Sequence, residues 1–364
     1  MKPAAFCFSF LLLIASACAQ APWRPALPGW HYEFPRDHAP HPDFKTEWWY
    51  FTGEVRSADG QRFGYELTFF RQGVLPPAER GTTTSRFIID DLKFAHFALS
   101  DPGGKHFHFF QKTSRGSFGE AGFGVDAKLA WIDDWTLQRD GDEGFTLRAA
   151  SAGVSLALEL RRTKPWALHG ENGVSQKAAG KGSASHYYSG TRLATTGSLG
   201  VNGHDFAMTG ESWFDHEWAT NQLAQNQIGW DWFSLQLDDG SELMLYQMRL
   251  RDGGSDPNSS GTLIARDGTT QHLRREDFTL RPLDYWKSPT TKGRYPIAWE
   301  LRVAGIGLTA RITTPLASQE LNVKPNAYWE GLIDLAGDQG GKPIRGHGYL
   351  ELTGYAGSLV GLGK

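Results

Sequence analysis

From Thr46 onward the apolar residues fall in short runs that alternate with polar ones, and runs with helical spacing are nearly absent. The first run, Thr46-Glu47-Trp48-Trp49-Tyr50-Phe51-Thr52-Gly53-Glu54-Val55, ends at the turn Ala58-Asp59-Gly60, and Phe63 to Arg71 reads as its hairpin partner. Further strands are expected at Phe87 to Ile89, Lys93 to Leu99, Phe107 to Gln111, Ala127 to Ile132, Trp135 to Arg139, Phe145 to Ala149 and Val154 to Arg161. Turn residues such as Asp101-Pro102-Gly103-Gly104 and Asp140-Gly141 separate most of them. Antiparallel strands joined this tightly predict an up-and-down barrel or a sandwich. The glycine-rich stretch from Lys164 to Gly182 has no period and reads as a long loop of the kind that covers a barrel mouth. Ala184 to Leu193 and Phe206 to Gly210 then form another hairpin, whose second strand runs directly into Glu211-Ser212-Trp213-Phe214-Asp215-His216-Glu217-Trp218.

The pattern repeats. Trp230 to Leu237, Asp239-Gly240 and Leu243 to Arg249 follow the plan of Trp48 to Val55, Asp59-Gly60 and Tyr65 to Arg71. Tyr328-Trp329-Glu330-Gly331 and Gly348 to Gly354 echo Tyr187-Tyr188-Ser189-Gly190 and Phe206 to Gly210. Matching openings and closings in the same order predict two related barrels in tandem with a seam near residue 225. The expected organisation is a signal peptide over 1–19, an extended lead-in crossing the surface over 20–44, a first barrel over 45–225 and a second over 226–364. In this alignment His186 corresponds to Ala327, and Trp213-Phe214-Asp215-His216 to Gly357-Ser358-Leu359-Val360, so one barrel alone keeps the polar set.

Composition supports many short strands: the chain has 43 Gly, 14 Trp and 13% aromatic residues. A net charge of -3 with no basic stripe excludes nucleic acid as an expected partner. Met1-Lys2, the apolar Phe6 to Ile14 and the small residues up to Ala21 read as an export signal, which predicts a periplasmic or secreted protein. Two cuts stay open. Ala17-Cys18-Ala19 suits ordinary cleavage, whereas Ile14-Ala15-Ser16-Ala17-Cys18 is similar to a lipobox and would attach the chain to a membrane through lipidated Cys18. Cys7 lies inside the signal, so no disulfide is expected in the mature chain.

Gly210 to Trp218 crowds acids and a histidine between aromatic rings. A carboxyl group removed from water is paired or takes up a proton, which makes Asp215 a candidate proton donor; the competing reading is a strand end whose acids point to solvent. His186 and Tyr188 share one strand face because they are two residues apart. Tyr188, Trp213, His216, Trp218, Trp49 and Tyr50 complete the expected aromatic pocket for an apolar small molecule. Other chemistries fit less well. There is no Gly-x-Ser-x-Gly elbow, and Ser189 and Ser212 have no base evident from sequence. His216-Glu217 lacks the second histidine of a zinc-protease helix, and the irregularly spaced His31, His38 and His41 read as solvated loop residues. No metal and no other cofactor is expected.

Glu47-Trp48-Trp49-Tyr50, Tyr187 to Leu193 and Trp213 to Trp218 together resemble the AttH-like, predicted secreted hydrolase family, which is related to bacterial carotenoid 1,2-hydratases. The resemblance implies two lipocalin-like β-barrels, an all-β fold. It also implies a site in which a Tyr-x-Asp-His motif falls on Trp213 and Asp215, and a His-x-Trp pair on His186 and Tyr188. Both aromatic positions differ from the hydratase pattern, which sets a carotenoid substrate apart from the proton-transfer site. The implied chemistry is hydration or hydrolysis of a long apolar molecule, with Asp215 as general acid and His186 as its partner. The alternative is a periplasmic carrier or chaperone that holds such a molecule without turnover.

Overall fold

The structure, a computed structural model, describes residues 23–81, 85, 87–221, 223–324, 326–357 and 359. The signal-like segment and Cys18 lie outside the described residues. The protein is all-β, with two antiparallel sheets that each curl around a core of their own, in the manner of tandem lipocalin-like units.

In the first sheet β1 (Thr46–Ser57), β2 (Arg62–Gly73), β3 (Asp91–Asp101) and β4 (His106–Ser114) run outward from the centre. β5 (Ala121–Phe123), β6 (Lys128–Ile132), β7 (Trp135–Asp140), β8 (Gly144–Ser151) and β9 (Val154–Arg162) return toward it. The short β10 (Ala167–Leu168) and β11 (Val174–Gln176) pair with β12 (Ala184–Val201), and β13 (His204–Ala219) lies between β12 and β1. The second sheet has the same plan. β14 (Gln227–Leu237), β15 (Glu242–Leu250), β16 (Ser260–Ile264) and β17 (Thr270–Arg274) form one wing; β18 (Phe278–Lys287), β19 (Arg294–Val303) and β20 (Leu308–Thr313) form the other. β21 (Glu320–Leu321) pairs with β22 (Tyr328–Gln339), and β23 (Lys342–Leu352) lies beside β14 as β13 lies beside β1.

Most strands follow the alternation that predicts them. Phe87 to Ile89 do not: they are turn and irregular chain, with Phe87 84% exposed, and among the described residues no strand pairs with this short run. The stretch 164–182 is not a free cover either, since β10 and β11 stitch it onto β12 and bury Ala167, His169, Ser175 and Lys177.

The lead-in also departs from expectation. Asp37 and His38 are 1% exposed, and Ala26 and Phe44 equally buried, because the segment folds into the first unit rather than across its surface. The bond from Trp49 Nε1 to the His38 carbonyl (2.8 Å) and that from Arg71 to the Phe44 carbonyl (2.6 Å) satisfy its backbone. The sheets meet through β1, β2 and β12 on one side and β23, β22 and β14 on the other. Tyr50, Tyr187, Trp213, Trp232, Tyr246 and Tyr349 fill this junction. Arg192 and Lys164 of the first sheet both reach Glu242 of the second, at 2.7 Å each.

Candidate functional site

Alternation along β13 divides the motif between two environments. Phe214, His216 and Trp218 turn into the first unit's core, whereas Trp213, Asp215 and Glu217 turn toward the second sheet. Asp215 is 3% exposed. Its Oδ2 accepts from the Tyr187 hydroxyl at 2.7 Å, and its Oδ1 accepts from Trp213 Nε1 at 2.6 Å and from the Ser189 hydroxyl. Burial pushes its carboxyl up to about 7, against the opposing pull of those three donors. Trp232 of the second sheet donates to the Tyr187 oxygen at 3.1 Å, so both sheets hold the acid.

His186 is not its partner. The register sets Ser189 opposite Asp215 and His186 opposite Trp218, so His186 lies on the far face, between Trp30, Phe44 and Trp218. Burial, reinforced by His41 and Arg24, pushes it down to about 3, and its Nδ1 meets no hydrogen-bond partner among the described residues. Tyr188, His216, Trp218 and Trp49 share that interior face, while only Trp213 and Tyr50 of the expected pocket share the face of Asp215.

The histidine that does reach the acid is His169. Its Nε2 lies 2.6 Å from Ser189 Oγ and its Nδ1 2.8 Å from the Thr262 hydroxyl. Because Ser189 donates to Asp215, Nε2 carries the hydrogen and Nδ1 accepts from Thr262, which completes a relay Thr262, His169, Ser189, Asp215. Burial holds His169 neutral, well below the ordinary histidine range. The signal in the sequence was the loop itself, a long irregular segment within a compact unit with one histidine in it. Lys177 of the same segment pairs with Glu217 at 3.1 Å and lies over the rings of Tyr187 and Tyr246. Burial opposes its charge, but Glu217, Tyr246 and Asp215 outweigh it.

The second sheet carries acids here too, which corrects the expected asymmetry. Glu351 pairs with Trp232 and Glu330 as Asp215 pairs with Tyr50 and Ser189, so Glu351 holds the place of Asp215, and Gly357 and Leu359 lie beyond it. Tyr50 donates to Glu330, and Trp230 Nε1 donates to Glu351 at 2.9 Å. Burial pushes Glu351 up to about 7 and Glu66 up to about 8, and raises Glu330 as well. What remains unique to the first copy is the Ser189 and His169 relay.

These acids set a pH dependence. Asp215, Glu66 and Glu351 stand above their free values of 3.8, 4.5 and 4.5, so folding favours their protonated forms. That stability is complete below the free values and is lost as pH rises through about 7 to 8. Asp37 and Glu47 act in the opposite sense. Burial disfavours their charge, but His41 with Arg36 at Asp37, and His41, His216 and Arg71 at Glu47, hold both below the usual range, so their contribution is lost only in acid. Buried neutral histidines such as His38, His96 and His186, each held down to about 3, favour folding more as pH rises to their free value of 6.5, so urea midpoints are expected to fall above that value, between about pH 6.5 and pH 8. A flat or rising series would show these acids ionised throughout.

A cleft of 520 Å³ opens at one edge of the junction, lined by His347 and by charged residues that include Glu54, Arg56, Arg192 and Glu211. Behind it a cavity of 10 Å³, about room for one water, touches Thr52, Trp213, Ser234 and Tyr349. Trp213 thus spans from this cavity to Asp215 Oδ1.

The architecture and this junction define an all-β protein of two lipocalin-like units with a buried acid between them. The AttH-like family model matches residues 25–355, and the chain belongs to that family. The crystal structure of a protein from Nitrosomonas europaea assigned as AttH is 35% identical, with a TM-score of 0.82, covering 91% of this chain and 99% of that one. Kievitone hydratase from Nectria haematococca shares the fold at 15% identity and a TM-score of 0.71, over 92% of this chain and 98% of that one. CghA with Sch210972 does so at 14% and 0.52, over 86% and 90%. A search of curated proteins finds no match.

Proposed function

We propose that the protein adds water across a carbon-carbon double bond, or acts as a hydrolase by the same acid, on a largely apolar molecule that carries a polar end. The observation behind this reading is Asp215, a buried carboxyl pushed up to about 7 at the junction, so that a substantial fraction of it carries its proton near neutral pH. In the hydration, Asp215 gives its proton to the less substituted alkene carbon and the more substituted carbon becomes a cation. Water adds its oxygen to that carbon and its released proton returns to the Asp215 carboxylate, so alkene plus water gives alcohol with the acid regenerated. Tyr187 and Trp213 hold the two oxygens, and the Ser189 and His169 relay steadies the carboxylate once the proton has left. Rings near the reacting carbon stabilise a cation by about 0.5–2 kcal/mol each. The charged cleft suits the polar end of such a molecule. The signal-like start of the chain supports a location outside the cytoplasm.

The test is incubation of the full chain with unsaturated isoprenoid, fatty acyl and phenolic compounds in ¹⁸O-labelled water, read by mass spectrometry. One labelled oxygen with two added hydrogens marks hydration, and a labelled acid or alcohol fragment marks hydrolysis. Retention of an unaltered, unlabelled compound instead identifies a carrier and overturns the enzymatic reading.

A further inference from the structure

On the face of β13 opposite Asp215, the N-terminal segment brings His41 against Glu47 of β1 and His216 of β13. All three are buried, and His41 Nδ1, Glu47 Oε1 and His216 Nε2 lie within 4.8 Å of one another. Both nitrogens face the same oxygen, at 2.7 and 3.0 Å.

Neighbouring groups hold both rings in place. His216 Nδ1 lies 2.9 Å from the Asp37 carbonyl, which only accepts, so Nδ1 carries a hydrogen and the neutral ring aims the Nε2 lone pair at Glu47 Oε1. His41 lies between two carboxylates, its Nε2 facing Asp37 Oδ1 at 3.4 Å and its Nδ1 facing Glu47 Oε1 at 2.7 Å. Glu47 Oε2 accepts from Arg71 Nε at 3.0 Å, the His41 backbone N–H reaches both carboxylate oxygens, and the two rings converge on Oε1. The Trp218 ring stacks on His41 at 3.7 Å and the Trp49 ring on His216 at 4.6 Å.

We propose that His41, Glu47 and His216 bind a divalent transition metal of the zinc class. Two imidazoles and one carboxylate suit zinc, at about 2.0–2.2 Å from each ligand. The outer groups match such a site: each ligating histidine donates its other N–H to an oxygen, one a carboxylate and one a carbonyl, and the carboxylate is held by an arginine. The metal would fasten the N-terminal segment to the two central strands of the first sheet, a role separate from the junction and its chemistry.

The full chain, stripped with a chelator and dialysed against zinc, is expected to retain about one metal per molecule and to melt at a higher temperature than the stripped form. Cobalt in its place should give visible d–d bands, and X-ray absorption on the zinc form should show two imidazole nitrogens and a carboxylate oxygen. His216→Gln and Glu47→Gln are expected to weaken zinc binding by more than about tenfold. The wild-type spectra decide the matter even where a variant fails to fold. Wild-type protein that retains no zinc and shows neither bands nor a melting shift overturns the proposal; so does zinc binding undiminished in both folded variants.

Discussion

Asp215→Asn is expected to lower turnover by about 10²- to 10⁴-fold while leaving the protein folded. The amide keeps the shape of the carboxyl, and its oxygen still accepts from Trp213 and Ser189, but it cannot give up a proton on the path to a carbocation. Its NH₂ meets the Tyr187 oxygen, which already accepts from Trp232, so some stability is lost with the activity. Activity per folded molecule, with folding read from the thermal melt, separates the two effects. His186→Ala is the matched control, a buried histidine on the same strand pair that faces away from the acid, and its activity per folded molecule is expected to equal that of wild type. If Asp215→Asn kept full activity per folded molecule, Asp215 would be a structural residue and the general-acid reading would be lost.

Trp329→Ala should instead act on stability, by about 3–5 kcal/mol. Trp329 is fully buried in the second core, where it takes the strand position that Tyr188 takes in the first. Its Nε1 donates to the Ala317 carbonyl at 2.7 Å, so truncation leaves both a cavity and an acceptor without its donor. Urea titration measures the loss, and turnover by the folded fraction should be unchanged because the ring faces away from the junction. A loss below about 1 kcal/mol would mean that the second core closes over the gap and that this ring does not hold it together.

The pH series and these two variants probe different layers of one design, and those layers were not equally visible in the sequence. Alternation, turn residues and the repeated aromatic hairpins foretold an all-β chain of two similar units, because each of these signals is local: a strand reads its own apolar face whatever it later packs against. The same locality misled at Phe87 to Ile89, where apolar residues lack a strand to pair with. It also failed for His38 and His41, which carry no period and are buried because Glu47, Arg71 and Tyr188 wait inside the unit to receive that segment. The comparison of the two copies went astray in β23, where matching glycines set the alignment and the strand pairing places Glu351 at the position of Asp215.

Within the site, the sequence determined that Trp213, Asp215 and Glu217 share a face, that His186 and Tyr188 share a face, and that an acid lay among rings. Only the tertiary structure decided which of these faces coincide. Ser189 stands opposite Asp215, which joins Tyr187 and Ser189 to the acid and sends His186 and Tyr188 to the other side; a slip of one residue would exchange the sets. No local pattern encodes that register. It follows from burying both sheets' aromatic faces at once, and the same packing brings His169, 46 residues before Asp215, within reach of the acid through Ser189.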